Sequence, residues 1–144
     1  MIIRPIRKNE VKRASQIVGQ NYSKQYEKNS FKEIGATFQK YVIQPKYLVA
    51  ELDGEVVGLA GYTLSWMDYA TYTIFWVNVA PQYQRKGIGS ALVKKVLGII
   101  KKKDAKMILL VTDKPKFYAK RFKFKTLAKF ECDPYELMAL RLKK

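Results

Sequence analysis

Residues Gln84-Arg85-Lys86-Gly87-Ile88-Gly89 constrain the fold of this chain more than any other stretch. The residues before them, Tyr72 to Ala80, are rich in aromatic and β-branched side chains and read as a strand. Those after them, Ser90 to Lys101, carry apolar residues at helical spacing. A glycine-bearing turn that feeds a helix exposes backbone N–H groups with no internal partner, at the positive end of the helix dipole. That is a natural anion site. Gly87 and Gly89 keep side chains away from the approaching anion, and Arg85 and Lys86 add positive charge at the rim. The expectation is a strand–loop–helix that binds a pyrophosphate. The loop lacks the third glycine and the later acidic residue of a dinucleotide-binding turn. It also lacks the Gly-Lys-Ser/Thr ending of a nucleoside triphosphate loop.

The rest of the chain reads as alternating strands and helices. Ile2 to Pro5 is a first strand. Asn9 is expected to cap a helix over Glu10 to about Tyr22, with Val11, Ala14, Ile17, Val18 and Tyr22 on one face. Ser30-Phe31-Lys32-Glu33 has the form of a capping box, starting a second helix with Phe31, Ile34, Phe38, Tyr41 and Val42 on one face. Tyr47 to Glu51 and Glu55 to Leu64 are strands joined by an Asp53-Gly54 hairpin turn. Trp66 to Ala70 is a turn and Thr71 to Ala80 the next strand. The helix after the loop buries Leu92, Val93, Val96, Leu97 and Ile100, and Lys101 to Lys103 end it. The apolar run Met107 to Val111 is expected to be a strand buried on both faces. A short helix from Pro115 to Arg121 and strands over Phe124 to Phe130 and Glu136 to Leu142 complete the order β, α, α, β, β, β, α, β, α, β, β. No linker or repeat interrupts it, so residues 1–144 are expected to form a single domain.

Composition excludes several classes. Hydrophobic residues are 48% of the 144, enough for a real core. No apolar run is long enough for a transmembrane helix. The charges in Met1 to Arg7 fall where a signal peptide needs its apolar stretch, so a cytoplasmic, membrane-free protein is expected. The single Cys132 cannot form an intrachain disulfide and reads as a small core or edge residue. The absence of histidine removes imidazole-based triads and zinc sites, and no carboxylate cluster suggests a metal. The net charge of +16 would attract anions, nucleic acid, acidic proteins and phosphate-bearing cofactors among them. Arginine is scarce, which disfavours base-specific reading.

The segment Trp76-Val77-Asn78-Val79-Ala80-Pro81-Gln82-Tyr83-Gln84-Arg85-Lys86-Gly87-Ile88-Gly89-Ser90-Ala91-Leu92 resembles the acetyl-CoA motif of the GCN5-related N-acetyltransferase (GNAT) family. That pattern is a strand, then Val-x-Pro, then Gln/Arg-x-x-Gly-x-Gly/Ala at a helix start. The resemblance is residue-level from about Thr71 to Leu97 and extends to the whole order of elements. It implies an α/β fold with one mixed sheet of about seven strands, largely antiparallel around a central parallel pair, and about four flanking helices. It also implies acetyl-CoA as co-substrate and transfer of acetyl to an amine acceptor, by a monomer or homodimer.

By the same resemblance, backbone N–H groups of Val77, Asn78 and Val79 hold the pantetheine arm and thioester, and the loop N–H groups of Arg85, Lys86, Gly87, Ile88, Gly89 and Ser90 hold the pyrophosphate. Gln84 stabilises the loop and reaches the phosphates, and Ser90 offers its hydroxyl. The Asn78 side chain either bonds the arm or faces out of the sheet. The leaving thiolate is usually protonated by a tyrosine within Phe/Leu-Tyr-x-x-x-Gly-Phe. This chain reads Phe117-Tyr118-Ala119-Lys120-Arg121-Phe122-Lys123-Phe124. Tyr118 is the expected acid if one residue is inserted, since an ungapped match puts Ala119 at the tyrosine and Lys123 at the glycine; the alternative is that Tyr118 only packs over CoA. The family's glutamate base falls at Thr73, which cannot take that role. Glu51, Glu55 and Asp68 remain as carboxylates near the central strands, each also readable as a solvated strand-end charge. Tyr62, Trp66, Tyr69 and Tyr72 either line an amine pocket by cation–π contact or pack the sheet. Two other functions stay open: a CoA-binding protein without catalysis, and a basic nucleic-acid-binding module.

Overall fold

The order of strands and helices expected from the periodicities is the order found in the computed structural model, which describes residues 1–142. Strand β1 spans Ile2–Pro5, and a 3₁₀ turn over Lys8–Glu10 leads into α1, Val11–Asn21. Helix α2 is Lys24–Gly35, followed by a 3₁₀ turn over Ala36–Phe38. Strands β2 (Lys46–Leu52), β3 (Glu55–Leu64) and β4 (Thr71–Val79) form a meander. Helix α3 (Ile88–Lys101), β5 (Met107–Thr112), α4 (Pro115–Phe122), β6 (Lys125–Lys129) and β7 (Glu136–Arg141) follow.

All seven strands join one sheet in the order β1-β2-β3-β4-β5-β7-β6, antiparallel except for β4 and β5. Helices cover both faces. Leu92, Val93, Val96 and Ile100 of α3 pack with Val57, Ile74 and Ile108 on one face. Ala14, Ile17 and Val18 of α1 and Ile34 of α2 pack with Val49 and Leu59 on the other. Each fully buried leucine or isoleucine contributes roughly 1.5–3 kcal/mol relative to exposure.

Both expected helix starts move. Asn9 caps nothing. The Glu10 carboxylate instead accepts from the Arg7 backbone N–H at 2.8 Å and from Arg4 Nη1 at 2.9 Å, and the α-helix begins at Val11. Ser23, not Ser30, caps α2, accepting from the Tyr26 N–H at 3.2 Å. Ser30 is buried in the helix interior and donates to the Glu27 carbonyl at 3.0 Å. The apolar face expected beyond Ile34 does not form, because the helix stops at Gly35. Phe38, Tyr41 and Val42 are exposed, as is Phe31. Strand β5 is not buried on both faces: α1 packs on β3 and β4, and Val111 is 53% exposed. Cys132 lies exposed in the turn between β6 and β7 rather than in the core.

Candidate active site

Strand β4 has an extra residue at its centre. Gly61 opposes Phe75 and Leu59 opposes Asn78, so Trp76 and Val77 together face Ala60 of β3. This is a β-bulge, and it bends the strand. Trp76 adopts φ 49°, a left-handed angle that a bulky residue takes only when its surroundings hold it there. They do. Its indole Nε1 donates to Glu33 Oε1 at 3.3 Å, and its ring meets Tyr26 edge-on at 5.9 Å.

Before the bulge is reached, β4 and β5 part. Their parallel pairing covers only Thr71–Thr73 against Met107–Leu109. The rest of β5 pairs with β7, and β4 from Ile74 to Val79 has no strand on that side. The result is a wedge between two strands of one sheet, with unpaired backbone along its β4 wall.

The glycine loop sits at the end of that wall. Gly87 is the residue before α3 and takes φ 82°, a conformation glycine adopts without steric cost. Arg85 takes a similar angle, 64°. Among the described residues, no backbone N–H from Arg85 to Ser90 donates to a backbone carbonyl; the first such bond runs from the Ala91 N–H to Gly87 O, at 3.0 Å. Six adjacent donors are therefore free at the helix start. Arg85 and Lys86 are exposed, with Lys86 Nζ 5.5 Å from the Tyr83 ring centre. Ile88 is buried and anchors the turn. Arg121 of α4 lies over Phe117, 5.9 Å from its ring centre, and Phe117 Cζ is 4.0 Å from where a Gly89 Cβ would be.

A polar network ties the loop to α1. Gln84 Nε2 donates to Asn21 Oδ1 at 2.9 Å and to the Val79 carbonyl at 3.0 Å. Asn21 Nδ2 in turn donates to Val79 O at 2.9 Å and to Asn78 Oδ1 at 3.0 Å. Neither expectation for the Asn78 side chain describes it fully. It does not face out of the sheet, because it is 6% exposed, and its carbonyl oxygen is given to Asn21. Val77 and Val79 are half-buried beside it.

Tyr118 is buried, its ring packed on Phe117, Phe122 and Phe124. Burial first, and then nearby Tyr22 and Asp113, push its phenol above the ordinary value. Lys123 ends α4 in the left-handed region at φ 64°, the geometry that a glycine would take there. Its place supports the ungapped match at this position, which leaves Tyr118 one residue off the family pattern.

A second group of residues, distant in sequence, meets on the α1/α2 side of the wedge. The Tyr22 hydroxyl donates to Asp113 Oδ1 at 3.2 Å, and Tyr22 stacks on Tyr26 with ring centres 5.1 Å apart. Burial and the Asp113 charge push Tyr22 up to about 12. The Tyr26 and Tyr135 hydroxyls share a hydrogen bond at 3.4 Å. Sequence reasoning missed Asn21, Tyr22, Tyr26, Glu33, Asp113 and Tyr135, because no local pattern links residues this far apart in the chain.

The carboxylates weighed from sequence are occupied elsewhere. Glu51 is paired with Arg4 at 2.7 Å, Glu55 with Arg13 at 3.3 Å, and Asp68 accepts from the Ala70 N–H at 2.8 Å. Of the four aromatic candidates for an amine pocket, Tyr62 and Tyr72 pack on the α3 face of the sheet, and Tyr69 is 86% exposed. Only Trp66 lines a cleft. That cleft, of about 460 Å³, lies on the α1/α2 face and includes Thr73 and Glu33.

The sheet thus carries a parallel strand pair that opens into a wedge, beside a helix start whose N–H groups have no backbone partner. The sequence matches the acetyltransferase (GNAT) family over residues 12–124, and the chain belongs to that family. Its reaction class is therefore acetyl transfer to an amine nitrogen, with acetyl-CoA as co-substrate. The fold is shared with the PaiA N-acetyltransferase of Thermoplasma acidophilum, solved with coenzyme A, at 18% identity over 98% of each chain and a TM-score of 0.77. An aminoglycoside 6′-N-acetyltransferase complexed with coenzyme A matches at 16% identity over 98% of this chain and 97% of that one, with a TM-score of 0.81. A Mycobacterium tuberculosis protein in complex with coenzyme A matches at 19% identity over 99% of this chain and all of that one, with a TM-score of 0.76. No curated protein matches the sequence. Among the described residues, no helix is long and apolar enough to cross a membrane.

Proposed function

We propose that this chain transfers acetyl from acetyl-CoA directly to a primary amine held in the same complex. The observation that carries the reading is one juxtaposition: six free N–H donors lie at the end of the β4 wall of an open strand wedge. Solved relatives of the same fold hold coenzyme A. In this reading the pyrophosphate rests on the N–H groups of Arg85, Lys86, Gly87, Ile88, Gly89 and Ser90. Arg85, Lys86 and Arg121 supply charge around it. The donor of Gln84 is committed to Asn21 and Val79, so its part is to hold the loop in shape. The pantetheine arm lies in the wedge along Val77, Asn78 and Val79, and backbone N–H at the bulge polarises the thioester carbonyl.

The amine nitrogen attacks the thioester carbon; a C–N bond forms and the C–S bond breaks, the sulfur leaving with the electron pair. An ammonium substrate gives up two protons. One goes to solvent before attack, and the other ends on the departing sulfur. Tyr118 is the group we place beside that sulfur. With its phenol raised above the ordinary 10, it stays neutral and donates a hydrogen bond throughout the working pH range.

Two measurements test this. A thermal-shift titration with acetyl-CoA at about 100 times its dissociation constant should stabilise the protein by about 2.7 kcal/mol, and ATP should do less. The absence of a shift at low salt would remove acetyl-CoA from the loop. Tyr118→Phe should then lower kcat roughly 10²-fold and leave acetyl-CoA affinity intact. Wild-type turnover in that variant would remove Tyr118 from the chemistry. Saturable acetyl-CoA binding without turnover of any amine would make the chain a CoA-binding protein instead.

A further inference from the structure

The cleft on the α1/α2 face has a lining unlike the rest of this chain. Lys and Arg are 28 of the 144 residues, yet none lines it. Its one charged side chain is Glu33. Its floor is the rings of Tyr47 and Phe75, 5.6 Å apart, and its walls include Ile43, Leu64 and Trp66. Trp66 is 77% exposed, so the mouth is apolar as well. Inside, Thr63 Oγ1 is buried with no hydrogen-bond partner among the described residues.

Glu33 connects this cleft to the β4 bulge. Its carboxylate accepts from the indole of Trp76, a residue of the β4 bulge. Glu33 therefore lines the cleft and touches the side chain of a bulge residue. Cavities of about 300–1,000 Å³ suit small molecules, and this one, at about 460 Å³, is far wider than the stem of one lysine side chain.

We propose that the acceptor is a small, uncharged-bodied arylalkylamine. It binds as its ammonium, with the nitrogen against Glu33 and the ring between Tyr47, Phe75 and Trp66. The inference rests on the acetyl-transfer reading above and narrows its substrate class. The charge pattern separates the alternatives: an acidic amino acid would meet Glu33 and find no cation, whereas an ammonium gains the carboxylate and the ring faces together. A peptide lysine would leave most of the aromatic floor empty.

The test uses 2-phenylethylamine, L-glutamate and an N-acetylated lysine peptide as acceptors at saturating acetyl-CoA, with CoA thiol release as readout. The arylalkylamine should give the highest kcat/KM, by at least tenfold. Glu33→Gln should raise its KM at least tenfold, with acetyl-CoA affinity unchanged, and Glu33→Asp should recover part of the loss. A better rate with glutamate or the peptide overturns the proposal, as does an unchanged KM in Glu33→Gln. If no amine is turned over, calorimetric titration of the arylalkylamine alone decides the cleft separately. Binding that Glu33→Gln abolishes keeps the cleft assignment while the transfer reading falls; no binding to the wild type overturns the cleft assignment too.

Discussion

Gly89 is a glycine that the fold itself does not require. A Cβ there would meet Val79 Cγ2 at 3.6 Å, an ordinary contact, and its backbone angle is not left-handed. Alanine also forms helix better than glycine, by up to about 1 kcal/mol. We expect Gly89→Ala to match or exceed the wild type in melting temperature while acetyl-CoA binds about tenfold more weakly, a loss of about 1.4 kcal/mol by calorimetry. The opposite signs identify the cause; unchanged affinity would mean that no phosphate comes near this residue. The loop was legible in the sequence because its chemistry is local: two glycines and two cations within a few residues at a helix start. Glu33, Asn21 and Asp113 were not. They meet Trp76, Asn78 and Tyr22 across 43, 57 and 91 positions of the chain. Nothing in their neighbours signals those contacts. The Ser30–Glu33 pattern even gave Glu33 a capping role, whereas its carboxylate accepts from the Trp76 indole.

Elements were legible by type and misplaced at their ends. Period and turn residues identified every strand and helix, since Asp53-Gly54 and Pro115 act within one turn of themselves. The helix starts failed because a cap is decided by competition. At α1, Arg4 orients Glu10 from another element, and at α2, Ser23 captures the first turn seven residues before Ser30. The Arg4–Glu10–Glu51 group joins β1 and β2 to the entry of α1, with contacts of 2.7 Å to each carboxylate. Arg4 holds the Glu10 carboxyl below its ordinary value of 4.5. A depressed carboxyl stabilises the fold fully above that value, and the contribution disappears as pH falls through the lower folded value. Glu10→Gln should therefore cost about 1–3 kcal/mol near neutral pH, and its deficit against the wild type should shrink below about pH 4.5 in urea titrations. Gly61 is the other element-scale constraint. A Cβ on it would stand 2.5 Å from ring carbons of both Phe75 and Tyr47, so the rings or the strand would have to shift. Gly61→Ala should destabilise by about 1–3 kcal/mol in denaturant melts and displace the cleft floor.

At the scale of the whole molecule, the glycine loop and the cleft differ in the chemistry of their linings. The loop at the start of α3 suits anions, while the face under α1 and α2 lacks Lys and Arg at its cleft. Composition alone could report the sum of +16 but not that difference, which depends on how the strands are ordered. The same ordering leaves a seam. Three parallel residue pairs are all that stitch β1–β4 to β5–β7 through the sheet, so cooperativity between the two parts is weakest along the line where the pantetheine arm is proposed to lie. An arm seated there acts as a missing rung. Acetyl-CoA should slow amide hydrogen exchange in β6 and β7, strands remote from the loop, as well as at the loop itself. Equal exchange in those strands with and without ligand would mean that the two parts of the sheet already unfold as one.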